Sequence, residues 1–331
     1  MLFMGAPREP TIQKMEAVQE AADAAVRHST AAGLVFTTGD NGLTEWAFYP
    51  FELRPTDGQG LGAWATRSYE KGARIFTEWP LAMFVVPDRE RVRRDDAMEL
   101  INRMVDALNP MRKASFFSLA QASKHGPNRS AVGIWLSNAY PMDSEGSGDK
   151  QGVFAQLCRI NHSCQPNVTT SWNARLRRQT IHATRSIRAG EELLISYYGV
   201  DGQDGLVRAE RQELIMSKMG FHCSCALCGL TGDALARSEG RQRRLRAISD
   251  AVTTEPRPRF SRMRALVSEA ITLMEQEGLP ASWAKLHMLR LVGSAADAGD
   301  VKAAEEWASR AAACARDASG SDSAEYAAIR Q

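Results

Sequence analysis

No charge of one sign dominates this chain. Its 41 lysines and arginines face 39 aspartates and glutamates, a net charge of +2 over 331 residues. The molecule as a whole is therefore no electrostatic magnet for nucleic acid, and any basic surface has to be local. Long hydrophobic runs are also missing. None approaches the roughly 20 apolar residues that cross a bilayer, so no membrane partner is expected. The opening Met1-Leu2-Phe3-Met4-Gly5-Ala6-Pro7 is apolar for a few residues only and has no basic leader ahead of an apolar core. Secretion is not expected, and the sequence reads as intracellular, nuclear or cytoplasmic. Cysteine is scarce: Cys158, Cys164, Cys223, Cys225, Cys228 and Cys314 are the full set, and residues 66–157 hold none. So few thiols in a chain of this length exclude the disulfide framework of a small secreted domain. What remains is a hydrophobic content of 44% with 24% charged residues, ordinary for a globular protein of about two domains.

Along the chain the texture changes several times. Residues 11–31 read as a polar, alanine-rich covering helix within an N-terminal helical segment 1–44. From Trp46, short β-favouring runs alternate with turn residues, including three glycines at 58, 60 and 62 and the run Arg74-Ile75-Phe76-Thr77-Glu78. Apolar spacing predicts helix over 92–122, broken at Asn109-Pro110, as an insert of about 88–125. A loop is expected at 144–149. Strands return at 168–172, 180–183 and 192–197, and a helix over 205–219 ends near Gly220. From about 230 the pattern is helical to the end, with an antiparallel pair over 281–298 and 301–317 joined at Gly299-Asp300. A tetratricopeptide-like hairpin and a generic helical bundle both suit this region. Nine arginines between 237 and 264 read as a solvated helix face, with nucleic acid not indicated.

Two short segments carry most of the chemistry. In Asn161-His162-Ser163-Cys164-Gln165-Pro166-Asn167, polar side chains are crowded where each would need a hydrogen bond if buried, beside a thiol with no local partner. In Gly220-Phe221-His222-Cys223-Ser224-Cys225-Ala226-Leu227-Cys228, the Cys-x-Cys-x-x-Cys spacing supplies three thiolates. Structural zinc takes four tetrahedral ligands, so a fourth must come from elsewhere. Cys164 is the natural candidate, with His162 and His222 as competitors. The glycine run 57–65 is weak evidence by itself; it allows close backbone approach to a ligand or serves as a hairpin turn.

Taken in order, the glycine run, Asn138 within Gly133-Ile134-Trp135-Leu136-Ser137-Asn138-Ala139, the 161–167 block, Ile195-Ser196-Tyr197 and the 223–228 cluster resemble the SET-domain protein lysine methyltransferases. The resemblance covers about 45–229 and is nearest to fungal SET-domain proteins and the SET-and-MYND family. It departs from the latter in lacking the MYND zinc finger, since no cysteine stands where that insert would fall. It implies an α+β fold: a SET domain of small β-sheets with pseudoknot-like threading (45–203), a post-SET zinc-binding segment (204–229) and an all-α C-terminal region (230–331). It implies S-adenosylmethionine as cofactor, met by Gly58, Gly60, Leu61, Asn138, Asn161, His162, Tyr197 and Phe221. Tyr197 would be catalytic, and a structural Zn2+ would be held by Cys164, Cys223, Cys225 and Cys228. The expected reaction is methyl transfer to a lysine amine of a histone or other protein, with a further protein partner on the C-terminal helices. The alternative is a SET scaffold, catalytically weak or inactive, that serves as an interaction module.

Overall fold

A computed structural model describes residues 34–38, 44–48, 50–56, 60–85, 94–142, 150–198, 205–254 and 259–330. The expected helix at 11–31, the loop at 144–149 and Gly58 lie outside them. The chain forms two compact units, one of residues 1–53 and 78–159, the other of residues 54–77 and 160–331.

In the first unit, residues 34–38, expected within a helical segment, form instead a strand, β1 (Leu34–Thr38), held by backbone pairing with the antiparallel β2 (Thr44–Phe48). A second sheet has β8 (Lys150–Val153) at its centre, flanked by β6 (Ala82–Val85) and β7 (Tyr140–Pro141). Among the described residues the unit also carries α1 (Arg94–Asp106), α2 (Pro110–Phe117) and α3 (Ala131–Asn138). The break foreseen at Asn109-Pro110 is a helix start: Asn109 accepts the Arg112 N–H, and Pro110 occupies a first-turn position whose N–H has no helical partner. The core gathers Ile101, Val105, Phe116, Leu119, Ile134 and Trp135 against Leu81 and Val153, with Phe84 edge-on to Trp135 at 6.1 Å. Glu78 is buried here, and its two oxygens accept the backbone N–H groups of Gln156 and Leu157 at 2.9 Å each. Burial outweighs those bonds and pushes its carboxyl up to about 7.

The second unit holds two sheets. In one, β3 (Phe51–Thr56), β4 (Gly60–Ala65), β12 (Glu192–Ile195) and β9 (Asn161–His162) lie in that order. In the other, β11 (Arg178–Ala183) lies between β10 (Val168–Asn173) and β5 (Arg74–Glu78). The strand β12 runs antiparallel to β4 and parallel to β9. It ends at Ile195, two residues short of expectation, and the 161–167 block lies along its last residues: Ser163 and Asn167 donate their N–H groups to Ile195 and Leu194 oxygens, both at 3.0 Å.

Helix α4 (Arg208–Met219) stops where Gly220 turns left-handed (φ 76°) and donates to the Ile215 and Met216 carbonyls. Beyond it come α5 (Gly232–Thr254), α6 (Phe260–Gln276), α7 (Lys285–Asp297), α8 (Val301–Ser319) and α9 (Ala324–Arg330). Leu245, Ile248, Val267, Met274, Leu291 and Trp307 form their common core. The turn between α7 and α8 is Gly299-Asp300, with Gly299 at φ 74° and Asp300 accepting the Ala303 N–H. Four arginines of the run pair with carboxylates: Arg243 with Glu239, Arg244 with Glu269, Arg246 with Glu210 and Arg241 with the buried Glu277. No helix among the described residues is long and apolar enough to cross a membrane.

Candidate functional site

The 161–167 block lies along β12, which brings it beside both the glycine strand and the cysteine-rich segment. Asn161 is buried on β9, and its Nδ2 donates to Glu192 Oε1 at 3.0 Å. Thr56 Oγ1 donates to the same oxygen at 3.3 Å. Gly62 is the reason the carboxylate fits there. A Cβ on Gly62 would lie 2.5 Å from Thr56 Oγ1 and 3.0 Å from Asn161 Nδ2, and closer still to Glu192 Oε1. One glycine of the run is thus required for packing. Gly60, at φ 76°, has open space where a side chain would project, and Leu61 beside it is exposed. Asn167, fully buried, closes the block by donating to the Glu192 carbonyl (2.7 Å) and accepting the Leu194 N–H (2.7 Å).

His162 joins two parts of the site. Its Nδ1 accepts the Tyr197 N–H at 3.1 Å, so the ring proton of the neutral imidazole belongs on Nε2. That nitrogen lies 3.5 Å from Cys164 Sγ. Burial holds the ring neutral, pushing it down to about 4. Tyr197, Tyr198 and Phe221 surround the imidazole with centroids 5.2, 5.3 and 6.3 Å away. The Tyr197 hydroxyl donates to the Ile160 carbonyl at 3.1 Å.

The thiols of Cys164, Cys223, Cys225 and Cys228 all lie within 4.8 Å of one another. Cys164 Sγ is 4.0 Å from Cys223 Sγ and 3.6 Å from Cys228 Sγ. Four sulfurs about 2.3 Å from one tetrahedral zinc stand about 3.8 Å apart, so the donor set suits that ion in number, chemistry and spacing. Hydrogen bonds that the Cys164 thiol shares with the other three, together with burial, push it up; crowded sulfurs resist joint ionisation until a cation joins them. The cluster takes neither histidine as a fourth donor: His162 turns Nε2 toward Cys164, and His222 is exposed. Gln212 of α4 grips Cys223 at both backbone groups, accepting its N–H (3.0 Å) and donating to its oxygen (2.6 Å).

The structure therefore brings Gly60, Leu61, Asn161, His162, Tyr197, Phe221 and the four cysteines into the second unit. Asn138 belongs to the first. There its Nδ2 donates to the Ala120 and Ile134 oxygens, both at 2.7 Å, and its own carbonyl accepts the Cys158 thiol. Sequence reasoning passed over Thr56, Gly62, Glu192 and Gln212. Each is set by contacts across many residues and leaves no local signal.

Residues 60–198 match the family model for the SET domain. Among curated relatives, it is 31% identical over 202 residues to the Histone-lysine N-methyltransferase set5 of Schizosaccharomyces pombe, covering 60% of this chain and 54% of that protein. It is 36% identical over 77 residues to the Protein-lysine N-methyltransferase SMYD4 of Homo sapiens, covering 23% of this chain and 9% of that protein. The S. pombe SET domain and MYND-type zinc finger protein 6 matches at 33% over 72 residues, 22% of this chain and 14% of that protein. The chain thus spans about half the length of the first of these relatives and a small fraction of the other two.

Proposed function

We propose that this chain is a protein-lysine N-methyltransferase that uses S-adenosylmethionine and holds one structural zinc on Cys164, Cys223, Cys225 and Cys228. The observation that carries the reading is the placement of Tyr197 within a SET domain. Its N–H is fixed by His162 and its hydroxyl by the Ile160 carbonyl, beside the block expected to meet the cofactor. Relatives named for histone-lysine and protein-lysine methylation support the same activity.

The cofactor supplies an electrophilic methyl on a sulfonium, and the rest falls to the chain. Open backbone at Gly60 and the Asn161 carboxamide, oriented by Glu192, suit a ligand read by main-chain and amide groups. The acceptor must be a neutral amine, whereas lysine in water titrates near about 10.4. A setting of aromatic rings and a neutral imidazole disfavours the ammonium and lowers that value. With its proton committed to Ile160, the Tyr197 oxygen presents lone pairs that accept an N–H of the incoming amine and aim its nitrogen. The zinc has no part at the reacting atoms; it ties Cys164, two residues from His162, to the segment that carries Phe221.

Calorimetry with S-adenosylmethionine, then transfer of labelled methyl to a protein extract, tests the reading. The wild type should bind and label a lysine, and Tyr197→Phe should bind with labelling reduced at least a hundredfold. Cofactor binding by the wild type without any transfer would instead establish a scaffold, with a nuclear or cytoplasmic protein partner rather than a substrate.

A further inference from the structure

The tetrathiol site is assembled from two pieces of chain about sixty residues apart, and both are tied to the same C-terminal helix. On the Cys164 side, Gln165 Nε2 donates to the backbone oxygen of Glu277 at 2.6 Å. Glu277 ends α6, where helix carbonyls lack intrahelical donors. Its side chain is almost wholly buried and is held from α5 by Ser238 (2.7 Å), Gln242 (2.9 Å) and Arg241. On the other side, α4 grips Cys223 through Gln212, and Glu210 of α4 takes a two-point pair from Arg246 of α5, 3.0 Å at its first contact. Gly205, just before α4, meets α5 directly: a Cβ there would lie 2.5 Å from the Arg246 backbone nitrogen and 2.6 Å from the Gln242 oxygen. The left-handed φ of 83° at Gly205 suits the same residue type.

We propose that α5 is the positioning brace of the thiol site. Through Gln165 it fixes where Cys164 stands, and through Glu210 and Gln212 it fixes where Cys223 stands. One rigid helix thereby sets the distance between the two halves. The helical region then has a task toward the site itself, apart from any partner it binds. Only the metal readout of this proposal rests on the zinc reading above.

Two variants cut the brace at its two ends, Gln165→Leu and Arg246→Met. Arg243→Met is the control, since it breaks an exposed pair with Glu239 on the same helix. Hydrogen exchange is followed at the amides of Ser163, Asn167 and Cys223, and zinc transfer to a chromophoric chelator is followed in parallel. Gln165→Leu should speed exchange at Ser163 and Asn167, and Arg246→Met at Cys223, each about tenfold or more. Amides of α7 and α8 should be unchanged. Zinc release should quicken about tenfold in both variants, the scale on which groups behind metal ligands act, and not in the control. Unaltered exchange at all three amides overturns the brace. Faster exchange in a protein that carries no zinc would uphold the brace and refute the metal reading. If Arg246→Met fails to fold, Glu210→Gln weakens the same pair and takes its place.

Discussion

The cost of replacing Gly62 with alanine should depend on what stands at position 192. In a strand, with no left-handed backbone angle at Gly62, glycine to alanine ordinarily stabilises by about 0.4–1 kcal/mol through the unfolded chain. Here the added methyl would enter the space held by Glu192 Oε1, 2.5 Å from Thr56 Oγ1 and 3.0 Å from Asn161 Nδ2. The carboxylate is the flexible end of a side chain, so it swings away and does not force the backbone apart. What is lost is its bonds from Asn161 and Thr56. A hydrogen bond to a charged group contributes about 1.5–3 kcal/mol, and the Asn161 amide, in a buried residue, would lose its acceptor. Offset by the glycine-to-alanine gain, Gly62→Ala should cost about 1–2 kcal/mol net. In a Glu192→Ala background the carboxylate and its bonds are already gone, and only Thr56 Oγ1 and Asn161 Nδ2 still have to give way, so the same change should cost about 1 kcal/mol less. Urea denaturation of the four proteins closes this double-mutant cycle. An equal cost of Gly62→Ala in both backgrounds would refute the reasoning, since the penalty would then come from the backbone and not from Glu192.

Other perturbations report on other parts of the molecule. Metal analysis should find one zinc per chain, and Cys164→Ser should lower it while strong chelation lowers the melting temperature of the wild type; full occupancy in the variant would remove Cys164 from the ligand set. Glu78 should make stability fall as pH rises. An unfolded carboxyl ionises near 4.5, whereas the folded one holds its proton to about 7, so the stabilisation is full below 4.5 and is lost as pH passes through 7. The loss should be roughly 3 kcal/mol by urea titration across that range, and Glu78→Gln should flatten it. Arg241→Met leaves a carboxylate only 1% exposed without its cation, which should cost about 3 kcal/mol in denaturant, the low end for a broken buried pair because Ser238 and Gln242 still donate.

The residues that bear chemistry were legible because their kinds are conspicuous. Three thiols in six positions, and a polar block with a lone cysteine, stand out against any propensity, and Gly220, Pro110 and Gly299 mark element ends by local backbone physics. Strand and helix positions followed from spacing to within a few residues. Whether Cys164, His162 or His222 completed the thiol set was open in the sequence, because sixty residues of chain say nothing about which donor arrives. The parallel pairing of β9 with β12 carries Cys164 to the other three thiols while turning His162 toward both Tyr197 and Cys164.

The same division holds for the whole protein. By itself the sequence determined composition, element types and the reactive groups, since these depend on residue identity and on neighbours a few positions away. Only the tertiary structure decided why glycine is favoured at Gly62, which carboxylate orients Asn161, that four arginines of the run pair with carboxylates, and that α5 reaches both halves of the thiol site. Each of those rests on atoms brought within about 3 Å of one another from positions that are in most cases far apart in the chain, and hydrogen bonds and packing act at that range and no further.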